Sequence, residues 1–379
     1  MRILENLNYD FLSKRKIAYI LSVVIFLIGI ISVFTRGLQF GIDFKGGTEI
    51  VLQFEQAVEV AQIRSYVQNI GLGDIEVKTF GDETGIMIRS EEQIIPAQLF
   101  PRVVANIEAQ IEKDFPGINK QLVDSSISSV TYRFDDADIT NEVIDNLFEA
   151  GFQSGSFSEE PDNNQMVVRV SISDWIKENL AQNIQDNHFE LLKEDIVGPK
   201  IGEELKTDAV FAIFFALIAI LIYLGFRFKF LFAAGAVAAL FHDVLITIGM
   251  FAMLYGLIPG LNLDIDLTAV AAFLTLIGYS INDTVVNFDR IRENLKIHKT
   301  RSIYDIINQS ISQTMSRTLL TSGTTLLAVL VLLLFGGEVL KVFAFTLFFG
   351  TIIGTYSSIF VASALIFEYT NKYKKKLEF

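Results

Sequence analysis

Three charged residues fall where a soluble protein would not put them. Asp243, Asp283 and Arg317 each lie within, or at the edge of, a long apolar run. An ionised group at the centre of a hydrocarbon layer costs about 2.5–3.5 kcal/mol even on lenient scales. A carboxyl in that position can shed its charge by binding a proton and regain it on release, so its natural chemistry is proton carriage. Asp283 lies in the run 267–288, and Arg317 opens the next, 319–335. Consecutive spans run in opposite directions, which puts the two residues at comparable depth and predicts a close pair. An inert interhelical ion pair, or two charges snorkelling to the interface, is the competing use of the same residues. Asp243, near the middle of the run 230–256, is a second relay candidate. Its competing use is a polar contact to Ser280 or Thr284 on the neighbouring span, and His242 beside it reads as a packing neighbour.

Other chemistries are excluded or disfavoured. With no cysteine there is no disulfide, thiolate nucleophile or thiolate-bound metal. His188, His242 and His298 are scattered, without the i,i+4 spacing that places two imidazoles on one helical face, so no metal site and no cofactor are expected. No glycine-rich loop ending in Lys-Ser/Thr is present, which disfavours nucleotide hydrolysis, and no catalytic constellation stands out. The net charge is −13, and residues 40–206 hold roughly thirty acidic against about thirteen basic side chains. Such a surface repels nucleic acid.

The elements that must carry these residues follow from apolar length. Of 379 residues, 51% are hydrophobic, more than an ordinary soluble domain needs. A hydrocarbon core of about 30 Å takes about 20 apolar residues of helix, and about six such runs occur, at 17–34, 209–226, 230–256, 267–288, 319–335 and 342–367. The first is long for a secretory h-region and lacks a small-x-small cleavage site at Thr35-Arg36-Gly37, so it reads as a retained anchor. Basic residues gather at Lys14 to Lys16, at Arg227 with Lys229, at 290–301 and at 372–376, whereas the 259–266 loop has none. Basic loops mark the cytoplasmic side, so both termini face the cytoplasm and residues 37–207 lie outside. Three parts result: 1–36 with the first span, the outer domain 37–207, and a five-helix bundle over 208–379.

Within the outer domain, the patterns predict strands at 48–54 and 75–80 around a helix at 58–70, then a helix at 96–114. A second set follows, with strands at 125–133 and 166–172 and helices at 140–152 and 175–192. The expectation is an α+β domain of ferredoxin-like kind, a sheet with helices on one face, containing two related βαβ-type units. Gly41, Gly46 and Gly47, with Asp43 among them, stand where the first span meets this domain, as a hinge or a tight turn at a strand start.

Several of these stretches resemble the SecD/SecF family of protein-export membrane proteins. Gly41-Ile42-Asp43-Phe44-Lys45-Gly46-Gly47-Thr48 is similar to the signature opening that family's periplasmic domain, and 197–205 (Val-Gly-Pro-Lys-Ile-Gly-Glu-Glu-Leu) to the segment leading back into the membrane. Gly278 to Val286 and Asp289 to Asn294 resemble the fourth-span motif of the SecF branch, supported by Phe241-His242-Asp243 and by 316–322 (Ser-Arg-Thr-Leu-Leu-Thr-Ser). The segment 119–173 exceeds the family's compact domain as an insert. The resemblance implies an inner-membrane subunit that uses the proton motive force to complete polypeptide export. It implies a SecD partner on a separate chain, the SecYEG channel, YajC and the translocating polypeptide as partners. It also matches Asp283 and Arg317 to positions implicated in proton conduction. A small-molecule or lipid exporter of the related resistance-nodulation-division type would share intramembrane acids, but single-chain examples need about twice as many spans. A passive assembly scaffold is the remaining alternative.

Overall fold

The computed structural model of the chain describes residues 9–373, apart from 127, 159, 161, 185, 259 and 260. Pro259 of the outer loop and Lys374 to Lys376 of the C-terminal basic run lie outside the described residues. Among the described residues, six helices are long and apolar enough to cross a membrane. The chain divides after Gly41 and after Glu203 into a helical unit and an inserted α+β unit.

Helix α1 (Arg15–Arg36) ends at Gly37, and a single turn, α2 (Ile42–Lys45), opens the inserted unit. There β1 (Gly47–Phe54), α3 (Val60–Gln68), β2 (Ile75–Phe80) and β3 (Asp82–Ser90) precede α4 (Phe100–Asp114). Then come β4 (Gln121–Ser126), β5 (Ser129–Arg133), α5 (Ala137–Glu149), β6 (Gln153–Ser156), β7 (Gln165–Arg169), α6 (Ile172–Asn183) and β8 (Phe189–Val197). The strands form two antiparallel sheets, ordered β2-β3-β1-β8 and β4-β5-β7-β6. The first has the ferredoxin-like strand order, with the second sheet and α5 lying between α4 and α6 in the chain.

Alternation in β1 sends Ile50, Leu52 and Phe54 toward Ile63 and Val67 of α3 and Trp175, Ile176 and Leu180 of α6, all in one buried cluster. The opposite face carries a charge ladder. Arg89 on β3 stands opposite both Glu49 on β1 and Glu76 on β2, bonding them at 2.6 and 3.2 Å. Burial pushes the Glu76 carboxyl up, but Lys78, Arg89 and Lys45 outweigh it, and the group titrates below the usual glutamate range.

Two elements correct the sequence reading. Residues 82–90, for which no element was expected, form β3, and the helix expected over 175–192 ends at Asn183. From Phe189 the chain is a strand paired with β1, and Asn187 bonds the backbone N–H and C=O of Gln56. A long-range ladder here overrides a local helical pattern. The expected βαβ-type units occur in split form: β3 enters between β1 and β2, and β7 between β5 and β6, so each pair of strands joined by a helix is parallel but separated by an antiparallel neighbour.

The helical unit continues with α7 (Pro199–Arg227), α8 (Phe230–Leu254), α9 (Leu267–Ile297), α10 (Ile303–Phe335), α11 (Glu338–Ser357) and α12 (Ser363–Tyr373). A five-residue π-helical segment, Ser358–Ala362, joins the last two into one span. Asp266 and Ser302 cap α9 and α10 by accepting the N–H of Ala269 and Asp305. Helix α10 begins 16 residues before its apolar run, since a helix bonds its own backbone whatever its polarity. Helix α11 packs against α8, α9 and α10, and α1 against α8. Small residues let these axes approach: a Cβ on Gly29 would lie 3.0 Å from Gly249 Cα, and one on Gly354 2.7 Å from Ser280 Oγ.

Candidate functional site

The α9 motif places Asp283 on the face turned to α10. Its carboxyl is 6% exposed and accepts hydrogen bonds from Ser322 (3.0 Å) and Thr318 (3.5 Å). Thr318 and Ser322 are one helical turn apart, so both hydroxyls project from the same side of α10. Ser322 in turn accepts a bond from Thr355 of α11 at 2.9 Å. The Asp283–Arg317 pair expected from depth is not formed. Arg317 is exposed and, among the described residues, makes no ion pair, although it is within Coulombic range of Asp283. Helical phase is the reason: one residue turns the helix by about 100°, so Arg317 points away from α9 while Thr318 points toward it.

Asp243 is more deeply enclosed, at 1% exposure. Ser280 of α9 and Ser357 of α11 donate to its Oδ2 at 2.7 and 2.8 Å, and His242 Nδ1 lies 3.0 Å from Oδ1. Ser280 is thus a partner, as its position suggested; Thr284 instead donates to the Ser280 carbonyl at 3.5 Å. His242 is more than a packing neighbour. Its Nε2 is 2.9 Å from Ser22 Oγ on α1, so the imidazole links α8 to α1. Sequence reasoning missed Ser22, Thr355 and Ser357; the available signal was isolated hydroxyl residues inside apolar runs.

Helix α11 belongs to both clusters. Thr355 faces the Asp283 group and Ser357 the Asp243 group, immediately before the π-helical segment. Two residues of one helix two positions apart project about 200° from each other. A shift of α11 therefore changes both carboxyl environments, and π-turns within spans commonly mark such functional points.

The structure brings the two glycine-bearing motifs together. Gly46 (φ +75°) and Gly47 (φ +115°) adopt conformations closed to most L-residues. A Cβ on Gly46 would lie 2.9 Å from Pro199 Cα, and one on Gly47 2.2 Å from Ser90 O. Gly47 also pairs with Val197 at the end of β8. Asp43 sits half-buried in the first turn of α2. On the helical side, Gly41 donates its N–H to Ile265 O at 2.8 Å, and a Cβ there would meet Asp266 Cβ at 2.9 Å. Among the described residues no cluster of His, Cys, Asp and Glu has metal-binding geometry.

These features define an integral membrane protein: six potential spans, an α+β unit inserted after the first, and two carboxyls enclosed by hydroxyls. Residues 176–372 match the family described as protein export membrane protein SecD/SecF, C-terminal, and residues 31–58 match the SecD/SecF GG motif. The chain is similar to a protein translocase subunit SecF of Rhodothermus marinus, at 39% identity over 97% of this chain and 95% of the relative. It is 32% identical to one from Rickettsia rickettsii, over 100% of this chain and 97% of that one. A crystal structure of SecDF, a translocon-associated membrane protein from Thermus thermophilus, superposes with a TM-score of 0.65 at 28% identity. It covers 98% of this chain, which spans only 40% of the SecDF chain. The chain belongs to the SecD/SecF family.

Proposed function

We propose that this protein is the SecF-type accessory subunit of Sec-dependent protein export, working in the inner membrane. It uses the proton motive force, together with a SecD chain, to help complete translocation of polypeptides delivered through the SecYEG channel, with YajC as a further partner. Near-full-length similarity to proteins named protein translocase subunit SecF supports the assignment. A SecD partner is supported by the solved SecDF chains, of which this chain spans 40%. The asymmetry of basic loops puts the outer domain, 37–207, on the periplasmic side and the bundle, 208–379, with a cytoplasmic C-terminus. The work is mechanical, and no covalent reaction is assigned to any residue.

The observation that carries the mechanism is Asp283, a buried carboxyl that, among the described residues, accepts from the neutral hydroxyls of Thr318 and Ser322. Ionised, Asp283 accepts from Thr318 and Ser322 and ties α9 to α10. Protonated, it loses charge-assisted acceptance and the tie weakens. Arg317, next to Thr318 but on the outward side of α10, biases the proton equilibrium through space rather than by contact. Asp243 makes the corresponding tie among α8, α9 and α11. Loading and unloading these groups from opposite sides repacks α11 and moves the outer domain on its first span. The glycine-bearing segment at Gly41, Asp43, Gly46 and Gly47 is the chain connection through which the movement passes, with Gly41 held within the helical unit and Gly46 and Gly47 within the inserted one. Moving one charge through 100 mV supplies about 2.3 kcal/mol, enough to switch two nearly balanced packings.

The test is proton flux into vesicles holding this chain with its SecD partner. Asp283→Asn keeps the hydrogen bonding but cannot titrate, so it should stop gradient-driven flux and export at equal expression. Wild-type rates would remove Asp283 from the mechanism.

A further inference from the structure

Helix α10 repeats with a period of four along the part that faces α9. Ser310, Thr314, Thr318 and Ser322 form one row of hydroxyls, each at most 5% exposed. Beside it Ile303, Ile307, Ile311 and Met315 form a second row, in the apolar cluster that holds Phe288 and Ile291 of α9. Helix α9 answers the hydroxyl row with Asp283, Asn287 and Asn294. Thr318 and Ser322 donate to Asp283, and Thr314 donates to Asn287 Oδ1 at 2.6 Å. Asn294 Nδ2 donates to Ser310 Oγ at 2.8 Å and to Gln313 Oε1 at 2.9 Å. Both asparagines are buried, and the proton chemistry above uses neither.

Fastening α9 to α10 needs these bonds but not the repeat. Four residues of α-helix advance about 6 Å and turn about 40° past a full turn. That one movement, made by α10 toward its own N-terminus, carries each hydroxyl to the place of the one before it and each apolar side chain likewise. It keeps the buried amides paired, since Asn287 then meets Thr318 and Asn294 meets Thr314. The opposite movement brings Ile306 to Asn294 and strands a buried amide, so only one direction is open. The loop 298–302 reaches about 20 Å when extended, enough to follow. The bonds given up are Ser322–Thr355, Tyr279–Thr325 and Asn308 to the Leu12 N–H, with Tyr304 and Asn308 to Asp10 at the exposed outer end.

We propose that α10 has two registers against α9, one helical turn apart, and that the proton on Asp283 selects between them. This rests on the proton-driven reading above. In the register of the structure, Asp283 accepts from two hydroxyls. Among the described residues, the charged group within its reach is Arg317 of α10, and α11 approaches it with Thr355 by way of Ser322. In the second register Ser322 takes the place of Thr318, Leu326 takes that of Ser322, and Arg317 moves to the exposed place of Gln313, one turn farther from Asp283. A carboxylate loses a donor and its nearby cation in that exchange, whereas a neutral carboxyl beside leucine loses little. Ionised Asp283 therefore holds the first register, and protonated Asp283 releases α10 to the second. Asn287 and Asn294 are positioning residues: they find a hydroxyl in either register and none halfway, which makes the movement a one-turn step rather than a glide.

The chain has no cysteine, so pairs of introduced cysteines report the register directly. Asn294→Cys with Ser310→Cys should bridge in the register of the structure, Asn294→Cys with Thr314→Cys in the second, and Asn294→Cys with Thr318→Cys in neither. Each pair is placed in the full chain, assembled with its SecD partner in vesicles, and treated briefly with a short thiol-bridging reagent. The treatment is made with and without a proton gradient, and again in an Asp283→Asn background, whose amide cannot ionise. Gradient and Asp283→Asn should each raise 294/314 bridging by about tenfold over 294/318, within the roughly 50-fold that one charge moved through 100 mV can bias. The 294/310 pair should fall in step. Asn287→Cys with Thr318→Cys repeats the test where Asn294→Cys prevents elution as a single assembled complex. The step is overturned if 294/314 and 287/318 stay at the level of 294/318 under every condition while Asp283→Asn blocks proton flux, a result that leaves the proton-driven reading standing. Wild-type flux in Asp283→Asn overturns that reading, and proton control of the register with it.

Discussion

Replacing Gly47 by alanine tests whether the glycine pair is a close-packed clamp. The residue has φ +115°, and a Cβ added there would lie 2.2 Å from Ser90 O and 3.1 Å from Glu91 Cα, against 3.4–4 Å for ordinary contact. Holding a non-glycine residue in a sparsely populated backbone region costs about 1–3 kcal/mol, and forcing a methyl group into filled space about 1–3 kcal/mol more. The obstacle is a backbone carbonyl in the β1–β3 ladder, which cannot swing aside without breaking the Thr48–Ser90 pairing. The sum is about 2–6 kcal/mol. Gly117 is the control: it also has positive φ, +76°, but a Cβ there meets nothing within 4 Å, so Gly117→Ala should show only the backbone part. Hydrogen exchange on the purified full chain reads both. Gly47→Ala should lower protection in β1 and β3 by about 30-fold or more, the equivalent of 2 kcal/mol, and Gly117→Ala should leave those strands nearly unchanged. Equal protection in the two variants would refute the clamp.

Three further outcomes follow from the same packing. Arg89→Met leaves Glu49 buried without its main partner and should destabilise the inserted unit by about 3–5 kcal/mol, while the double variant with Glu49→Gln should regain much of that loss in thermal unfolding. Gly29→Leu should separate α1 from α8 where Gly29 meets Gly249, lowering the melting temperature of the detergent-solubilised protein, with Gly225→Leu, at an open position, as the neutral comparison. Glu178 lines a cleft of about 990 Å³ beside α4. Burial pushes its carboxyl up, the Asn106 hydrogen bond pulls it down and Asp174 adds to the rise, leaving it above the usual glutamate range. Its stabilising contribution is therefore full below the ordinary value, about 4.3, and lost as pH rises through the raised one. Glu178→Gln should melt increasingly above wild type between about pH 4 and neutrality; a constant offset across that range would count against the shift.

Which residues are candidates to carry a proton was legible in the linear sequence, but how they meet was not. Asp243 and Asp283 declare themselves because a carboxyl in an apolar run is conspicuous on composition alone. Thr318 and Ser322 belong to the same quoted motif as Arg317, yet equal depth favoured the charged residue, and only the rotation of α10 shows that the two hydroxyls face Asp283. His242 looked like a neighbour of Asp243 because its other partner, Ser22, lies 220 residues away in the chain. Strand β8 was hidden similarly: a helical pattern within 175–192 is local, whereas its pairing with β1 joins distant segments.

The amino-acid sequence by itself determined the number of apolar segments, the acidic insert after the first, and the glycines at its edge, since length, charge and missing side chains are properties of a linear string. Tertiary structure alone decided that the insert folds as two sheets, that Arg317 turns away from Asp283, and that α1 is hydrogen-bonded to α8 through Ser22 and His242. Those outcomes depend on helical phase and strand register, where a rotation of about 100° or a shift of one residue exchanges a partner for a stranger.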